Sequence, residues 1–251
     1  MCCLTMLEHG ICISKLMVFA LLGLASLTAR GQFTDTTQHH LMLSSTGSIN
    51  KSNTDRTYLL NNSLAFGLKK KSIVLNATNT WIYGKQNNSL TNNDFSSTLF
   101  FNLYKTFNHF YYWGLANYNT SYSLKVNNQL LAGIGVAYSI IDKPNTYINL
   151  SDGVLYDKSN LLTDLNYHTY RNSFRLNYHF VFKDLVTLDG SHYLQSSFSD
   201  KNDYIIRSTS KLGIRLRKWI SLTTALNYNK MNITLSDNLN FTYGLTLDTY
   251  F

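Results

Sequence analysis

Proline is all but missing: the chain has one, Pro144, in 251 residues. Cysteine is confined to Cys2, Cys3 and Cys12. Charge is scarce too, at 14% of residues against about 25% in an ordinary soluble domain. Past the first thirty residues no apolar run approaches the ~18 residues that read as a membrane helix. The richest, 130–141, is broken by Gly133, Gly135 and Ser139. Each shortage excludes something. Without cysteine beyond residue 12, neither a disulfide framework nor a thiolate metal site can be built there. Without a second apolar run, a helical membrane bundle is excluded. The low charge argues against a soluble enzyme, and aromatics at 14% exclude disorder, which is poor in them. A β-protein remains.

The first residues read as an address. Lys15 precedes 16–27, a stretch without charge, and Ala29-Arg30-Gly31 places small residues before Gln32. A short apolar segment with a small-residue cleavage site is a secretory signal, too short to span a bilayer as a helix. The expectation is a cleaved signal at 1–31 and one domain at 32–251. The part before Lys15 is long and contains Glu8, so Met1, Met6 and Met17 are all candidate starts. Loss of Glu8, Lys15 and Arg30 lowers the formal charge from +8 to +7. An exported chain without a helical anchor is periplasmic, secreted or a transmembrane barrel.

From residue 38 the period is two, the signature of strands. Over 168–182, His168, Tyr170, Asn172, Phe174, Leu176, Tyr178, Phe180 and Phe182 share one face. Thr169, Arg171, Ser173, Arg175, Asn177 and His179 share the other. Over 204–216, Tyr204, Ile206, Leu212, Ile214 and Leu216 alternate with Arg207, Thr209, Lys211, Gly213 and Arg215. Twelve such segments are expected, at about 38–49, 56–68, 73–84, 94–106, 110–122, 128–141, 146–157, 167–182, 185–198, 203–217, 219–231 and 240–251. They exceed the ~5–6 residues of a globular strand and suit a tilted strand crossing a bilayer.

Their connections alternate between tight (69–72, 107–109, 142–145, 183–184, 218) and longer, polar ones (50–55, 85–93, 123–127, 158–166, 199–202, 232–239). Short turns at one rim, longer loops at the other and an even strand number are the pattern of outer-membrane barrels. Pro144 falls in a tight turn, where it costs the ladder nothing. The expected fold is all-β, a closed antiparallel up-and-down transmembrane β-barrel of about 12 strands. Closure follows because no water in the bilayer core can satisfy an open edge.

At the end of the chain Phe241, Tyr243, Leu245, Leu247, Thr249 and Phe251 share a face. This ending resembles the final strand of bacterial outer-membrane barrels, which implies recognition by the barrel-insertion machinery through a strand ending at Phe251. Trp81, Trp113 and Trp219 are expected in the interfacial girdles. Two segments resist assignment. In 110–122 both faces carry aromatics, and in 146–157 the apolar face of Ile148, Leu150, Val154 and Tyr156 also carries Asp152. A carboxylate at that depth is costly, so a bulge at Asp152-Gly153 or the opposite facing is expected.

Several stretches resemble one group of barrels: LSSTGSINKSN at 43–53, NNDFSSTLFFNLYKTF at 92–107, YYWGLANYNTSYSLK at 111–125 and SFRLNYHF at 173–180. They are similar to the salt-induced outer-membrane protein family, which is defined by an uncharacterised domain. The likeness runs from about residue 40 to the end and contains no catalytic motif. It implies an outer-membrane β-barrel of unsettled activity, linked to osmotic or salt conditions, and transfers no functional residue.

The candidate site is the lumen. Arg171, Arg175, His179, Arg207, Lys211 and Arg215 are expected to point inward, with Asp189, Thr187 and Ser191 from the strand between. A basic stripe of this kind favours anions in a pore. The plainer reading is an internal polar network filling a barrel of intermediate width, between side-chain-filled eight-stranded and open sixteen-stranded barrels.

Catalysis finds little support. His39, His40, His109, His168, His179 and His192 are present but Gly-x-Ser-x-Gly, HExxH, a P-loop and GxGxxG after a strand are missing. An Asp164/His168 pair at the outer rim is conceivable, and a phospholipase- or protease-like barrel enzyme is the rival reading. His39 and His40, being adjacent, face opposite sides of a strand, so no metal or other cofactor is expected. Asn-x-Ser/Thr triplets at Asn61, Asn76, Asn87, Asn149, Asn232 and Asn240 fall mostly inside strands of an Asn-rich chain, so chance accounts for them. The positive charge is spread over all segments, which argues against nucleic acid. Lys69-Lys70-Lys71 at a periplasmic turn suits anionic headgroups. The partners expected are outer-membrane lipids, lipopolysaccharide and the insertion machinery, and the chain is expected to be monomeric. A binding or adhesion role through loops of at most about ten residues ranks third. The expected function is passive passage of small solutes or ions, or a structural envelope role.

Overall fold

The computed structural model describes residues 38–250 apart from 53, 108, 144 and 164. The expected signal segment, Pro144, Asp164 and Phe251 therefore lie outside the described residues. Twelve antiparallel strands close into one barrel in chain order. They are β1 (His39–Lys51), β2 (Arg56–Lys70), β3 (Ile73–Gln86), β4 (Ser89–Phe107), β5 (Phe110–Ser121), β6 (Val126–Lys143), β7 (Thr146–Leu161), β8 (Asn166–Phe182), β9 (Val186–Ser197), β10 (Tyr204–Arg217), β11 (Ile220–Met231) and β12 (Ser236–Tyr250). The seam is made by β1 and β12, from His40 opposite Tyr250 to Gly47 opposite Tyr243. Both ends of the described chain thus lie at the rim that carries the tight turns.

Alternation sets the facing of every strand. Leu64, Phe66, Leu99, Phe101, Ile134, Phe174, Leu212, Leu245 and their like are exposed outward, with Ile134 73% exposed. Neutral Ser45, Asn62, Asn79 and Ser97 interrupt this belt on β1–β4. Most of the buried apolar residues lie inside the barrel in two clusters. One lines the inside at the rim opposite the termini: Leu124, Val126, Leu161, Ile205 and Met231, with Tyr167 and Ile233 against them. The other lies deeper, against β4–β7: Tyr111, Trp113, Ala137 and Leu155, with Phe100, Tyr104 and Leu115.

Four details depart from the sequence reading. The connection expected at 85–93 is a two-residue turn, Asn87-Asn88, with φ of 49° and 68°; asparagine tolerates this left-handed pair, which matches the strand twist. Its strands continue to Gln86 and from Ser89, with a bulge at Gly84/Lys85. β12 also starts earlier than expected, at Ser236, after a short 3-10 helix, Asn232–Thr234. Trp113 leaves the girdle: it points inward with Tyr111, while Phe110, Tyr112 and Tyr118 point out. Finally, Asp152 does face outward. Its pairing with β6 runs without a register shift past Val136, so neither a bulge nor the opposite facing relieves it. Its carboxylate accepts a 2.7 Å hydrogen bond from Asn172 Nδ2.

Glycine makes room for Trp113. A Cβ on either Gly135 or Gly153 would come within 2.5 Å of the indole Cζ2. The ring lies over these two inward positions, and its Nε1 donates to the Val136 carbonyl at 3.3 Å.

Candidate functional site: the lumen

The seven lumen candidates, Arg171, Arg175, His179, Asp189, Arg207, Lys211 and Arg215, all lie on the inward face of β8, β9 and β10, but they do not form one stripe. They divide into levels with different chemistry, beginning beneath the apolar mouth.

Arg171 is fully buried, as is Asp157. Its Nε donates to Asp157 Oδ2 at 2.6 Å, and its Nη2 to Asp203 Oδ2 at 2.8 Å and to Tyr167 Oη at 2.9 Å. Asp157 also accepts from Gln129 Nε2, at 3.0 Å to both oxygens, and from Ser159 Oγ at 2.6 Å. Asp203 lies just before β10, so the ion pair holds the β9–β10 loop to the interior. Burial pushes the Asp203 carboxyl above its ordinary range, and Arg171 draws it back. This level is structural: one cation is saturated by two carboxylates.

The next level crosses the lumen. Arg207 on β10 donates through Nη2 to Asn119 Oδ1 at 3.0 Å and to Gln129 Oε1 at 2.9 Å. Its Nη1 reaches Asn117 Oδ1 at 3.4 Å. These partners sit on β5 and β6, on the far wall, so the guanidinium is a strut across the bore.

Below it, Arg175 lies over the Phe100 ring at 4.2 Å, with Trp113 and Tyr193 at 5.7 Å each. Its Nε donates to Ser151 Oγ at 3.1 Å. Such cation–π contacts contribute ~0.5–2 kcal/mol. Lys211 is paired in register with Asp189, whose carboxylate meets His179 Nδ1 at 2.6 Å. Nearest the turns, Arg215 Nη1 donates to the Asp184 carbonyl at 3.1 Å, and His40 meets Asp248 at 2.7 Å. Among the described residues, Arg175, Arg207, Lys211 and Arg215 have no carboxylate within ion-pair distance.

The opposite wall is built largely from small hydroxyls and amides, with one carboxylate, Asp94 on β4, accepting from Ser121 Oγ at 2.9 Å and Ser123 Oγ at 2.7 Å. Thr46 and Thr242 share a 2.9 Å hydrogen bond across the seam, Thr223 donates to Thr246 at 2.9 Å, and Asn117 donates to Ser96 and Thr98. The sequence reading missed Asp157, Asp203, Gln129 and the aromatic bed of Arg175. Alternation in β7 carries a signal for Asp157, since outward Val154 and Tyr156 put it inside; nothing local points to Gln129 or Asn117.

No group of three or more metal-ligating side chains occurs among the described residues. His39 and His40 do point to opposite faces, and Asp164, the proposed partner of His168, lies outside the described residues. The closest serine–histidine contact is His192 Nδ1 to Ser208 Oγ, 2.7 Å, on the outer face. The other imidazole nitrogen meets Tyr178 Oη at 3.5 Å, where a carboxylate would stand in a triad.

A closed antiparallel barrel, apolar outside and polar within, defines the transmembrane β-barrel class, and solved structures share the fold. The NanC porin matches with a TM-score of 0.53 at 9% identity, over 83% of this chain and 98% of that one. The translocator domain of the autotransporter NalP from Neisseria meningitidis matches with a TM-score of 0.51 at 10% identity, over 96% and 97%. No curated protein matches in sequence. The chain belongs to the DUF481 family, described as a protein of unknown function, whose model matches residues 43–247.

Proposed function

We propose that the chain is an outer-membrane pore of narrow bore that passes small solutes or ions and favours anions. The observation that carries this reading is the set of four inward cations, Arg175, Arg207, Lys211 and Arg215, without a carboxylate in ion-pair contact among the described residues, facing a wall made largely of hydroxyls and amides. Fixed positive charge in a low-dielectric bore concentrates anions and repels cations. Arg207 sets the width, because its strut occupies the cross-section. Residues 1–31 are the export signal in this proposal, and the salt or osmotic setting comes from the family resemblance alone. Passage is favoured over catalysis. The His192–Ser208 contact lacks a carboxylate on its second nitrogen, and strand N–H groups committed to the ladder leave no oxyanion donors beside it.

The test is single-channel conductance of the refolded chain in a planar bilayer under a salt gradient. Steps with an anion-leaning reversal potential are expected. Arg175→Glu with Lys211→Glu should reverse that lean, and Arg207→Ala should enlarge the steps. A folded barrel that leaves the bilayer sealed, with Arg207→Ala sealed as well, would turn the assignment to a structural envelope role.

A further inference from the structure

The outer face of β7–β10 carries two ionisable groups where apolar ones are expected. Asp152 lies midway along β7 and His192 midway along β9. Around them Val136, Val154, Phe174 and Leu194 are exposed. Other charged residues on the outer face, such as Lys158, Lys230 and Asp237, sit near strand ends, where headgroups would meet them. Charged side chains facing lipid near the midplane are destabilising, and more so the deeper they lie. The cost is only partly relieved: Asp152 receives one hydrogen bond, from Asn172, and a carboxylate has room for about four.

His192 is prepared for a partner. Its Nδ1 is engaged by Ser208 Oγ at 2.7 Å, while its Nε2 has a 3.5 Å contact with Tyr178 Oη, at the limit of a hydrogen bond. With Nδ1 accepting from the serine hydroxyl, Nε2 carries the proton, on the outward face of β9. Tyr178 also covers Gly190, which fixes the edge of the patch.

Depth makes the two groups complementary. Asp152 lies between the positions that pair Ser151 with Arg175 and Val154 with Asn172; His192 pairs with Leu176. They are separated by one strand, β8, hence by about 10 Å at ~4.8 Å per strand. The pairing lines climb toward the loop rim in chain order, which brings His192 back to nearly the depth of Asp152. A two-fold axis along the membrane normal preserves depth and makes each contact occur twice.

We propose that this face is where a second copy of the chain docks, with Asp152 of each protomer accepting a hydrogen bond from His192 Nε2 of the other. The pair removes a carboxylate and an imidazole from lipid at once, and replaces the expected monomer by a dimer. It does not depend on whether the lumen conducts.

The chain lacks cysteine beyond residue 12, so disulfide trapping reads the contact directly. The full chain carrying Val154→Cys and Leu194→Cys, the outward neighbours of Asp152 and His192, keeps the proposed pair intact and is oxidised in native membranes, beside each single variant and Leu64→Cys, an outward residue on β2. A reducible dimer band is expected for the double variant, several-fold above Leu64→Cys, because a disulfide requires Cα atoms within ~7 Å. In detergent, sedimentation should give a dimer for the native chain and a monomer for Asp152→Leu, with both retaining heat-modifiable migration as proof of folding. Cross-linking no better than Leu64→Cys in a folded barrel, or a dimer that survives Asp152→Leu, would overturn the proposal. So would a disulfide that joins the Val154→Cys variant to a different protein in place of a second copy.

Discussion

Arg171 shows what one side chain can decide inside a barrel. Its guanidinium is fully buried and held by Asp157 and Asp203, so its charge is balanced only while both carboxylates keep their places. Removing one member of such a set leaves the others buried without compensation, a cost of about 3–5 kcal/mol. Arg171→Ala is therefore expected to lower stability by that order, measured by urea unfolding in lipid vesicles with tryptophan fluorescence. Lys230→Ala, near a strand end, should leave it essentially unchanged. Residue-level facing was largely legible in the sequence, because strict alternation over 168–182 and 204–216 sorts in from out. The partners were not: Arg207 meets Asn117 and Gln129 from 90 and 78 positions away, a distance on which alternation is silent.

At the scale of the element, strand existence was legible and strand ends were less so. Asn87-Asn88 looks like part of a polar loop until the backbone shows two left-handed residues in succession, and β4 then gains its first residues. β5 was opaque for a different reason: aromatics on both faces erase the contrast that alternation needs. What resolves it is the neighbouring glycine pair, Gly135 on β6 and Gly153 on β7, which leaves a flat floor for Trp113. Gly153→Val would fill that floor and force the indole out of place. Overpacking of this kind typically costs ~1–3 kcal/mol. The expected outcome is a blue-to-red change in tryptophan emission and a lower urea midpoint, whereas Gly213→Ala, with Thr187 Oγ1 as its one close neighbour, should be milder.

For the whole molecule, closure is the property that matters. Every strand edge is paired, the interior carries its own apolar clusters, and the belt outside is apolar. Heating in SDS should therefore convert a compact, fast-migrating band into a slower one on a gel, and absence of a shift would count against the barrel. The architecture was legible because length, turn spacing and even strand number all point to it. The filling of the lumen was not, since the apolar mouth draws on Leu124, Leu161, Ile205 and Met231, residues from four separate parts of the chain.

The seam between β1 and β12 has a further consequence for the order of events. Eleven of the twelve strand interfaces join consecutive strands, so they can form as local hairpins in any sequence. The twelfth brings His40 to Tyr250, and it cannot begin until the whole chain has been delivered. Until then the sheet has two free edges, each able to capture another chain. The newborn protein is thus most exposed to misassembly at its last step, and a nonsense mutation early in β12 would leave a nearly complete sheet with no way to finish.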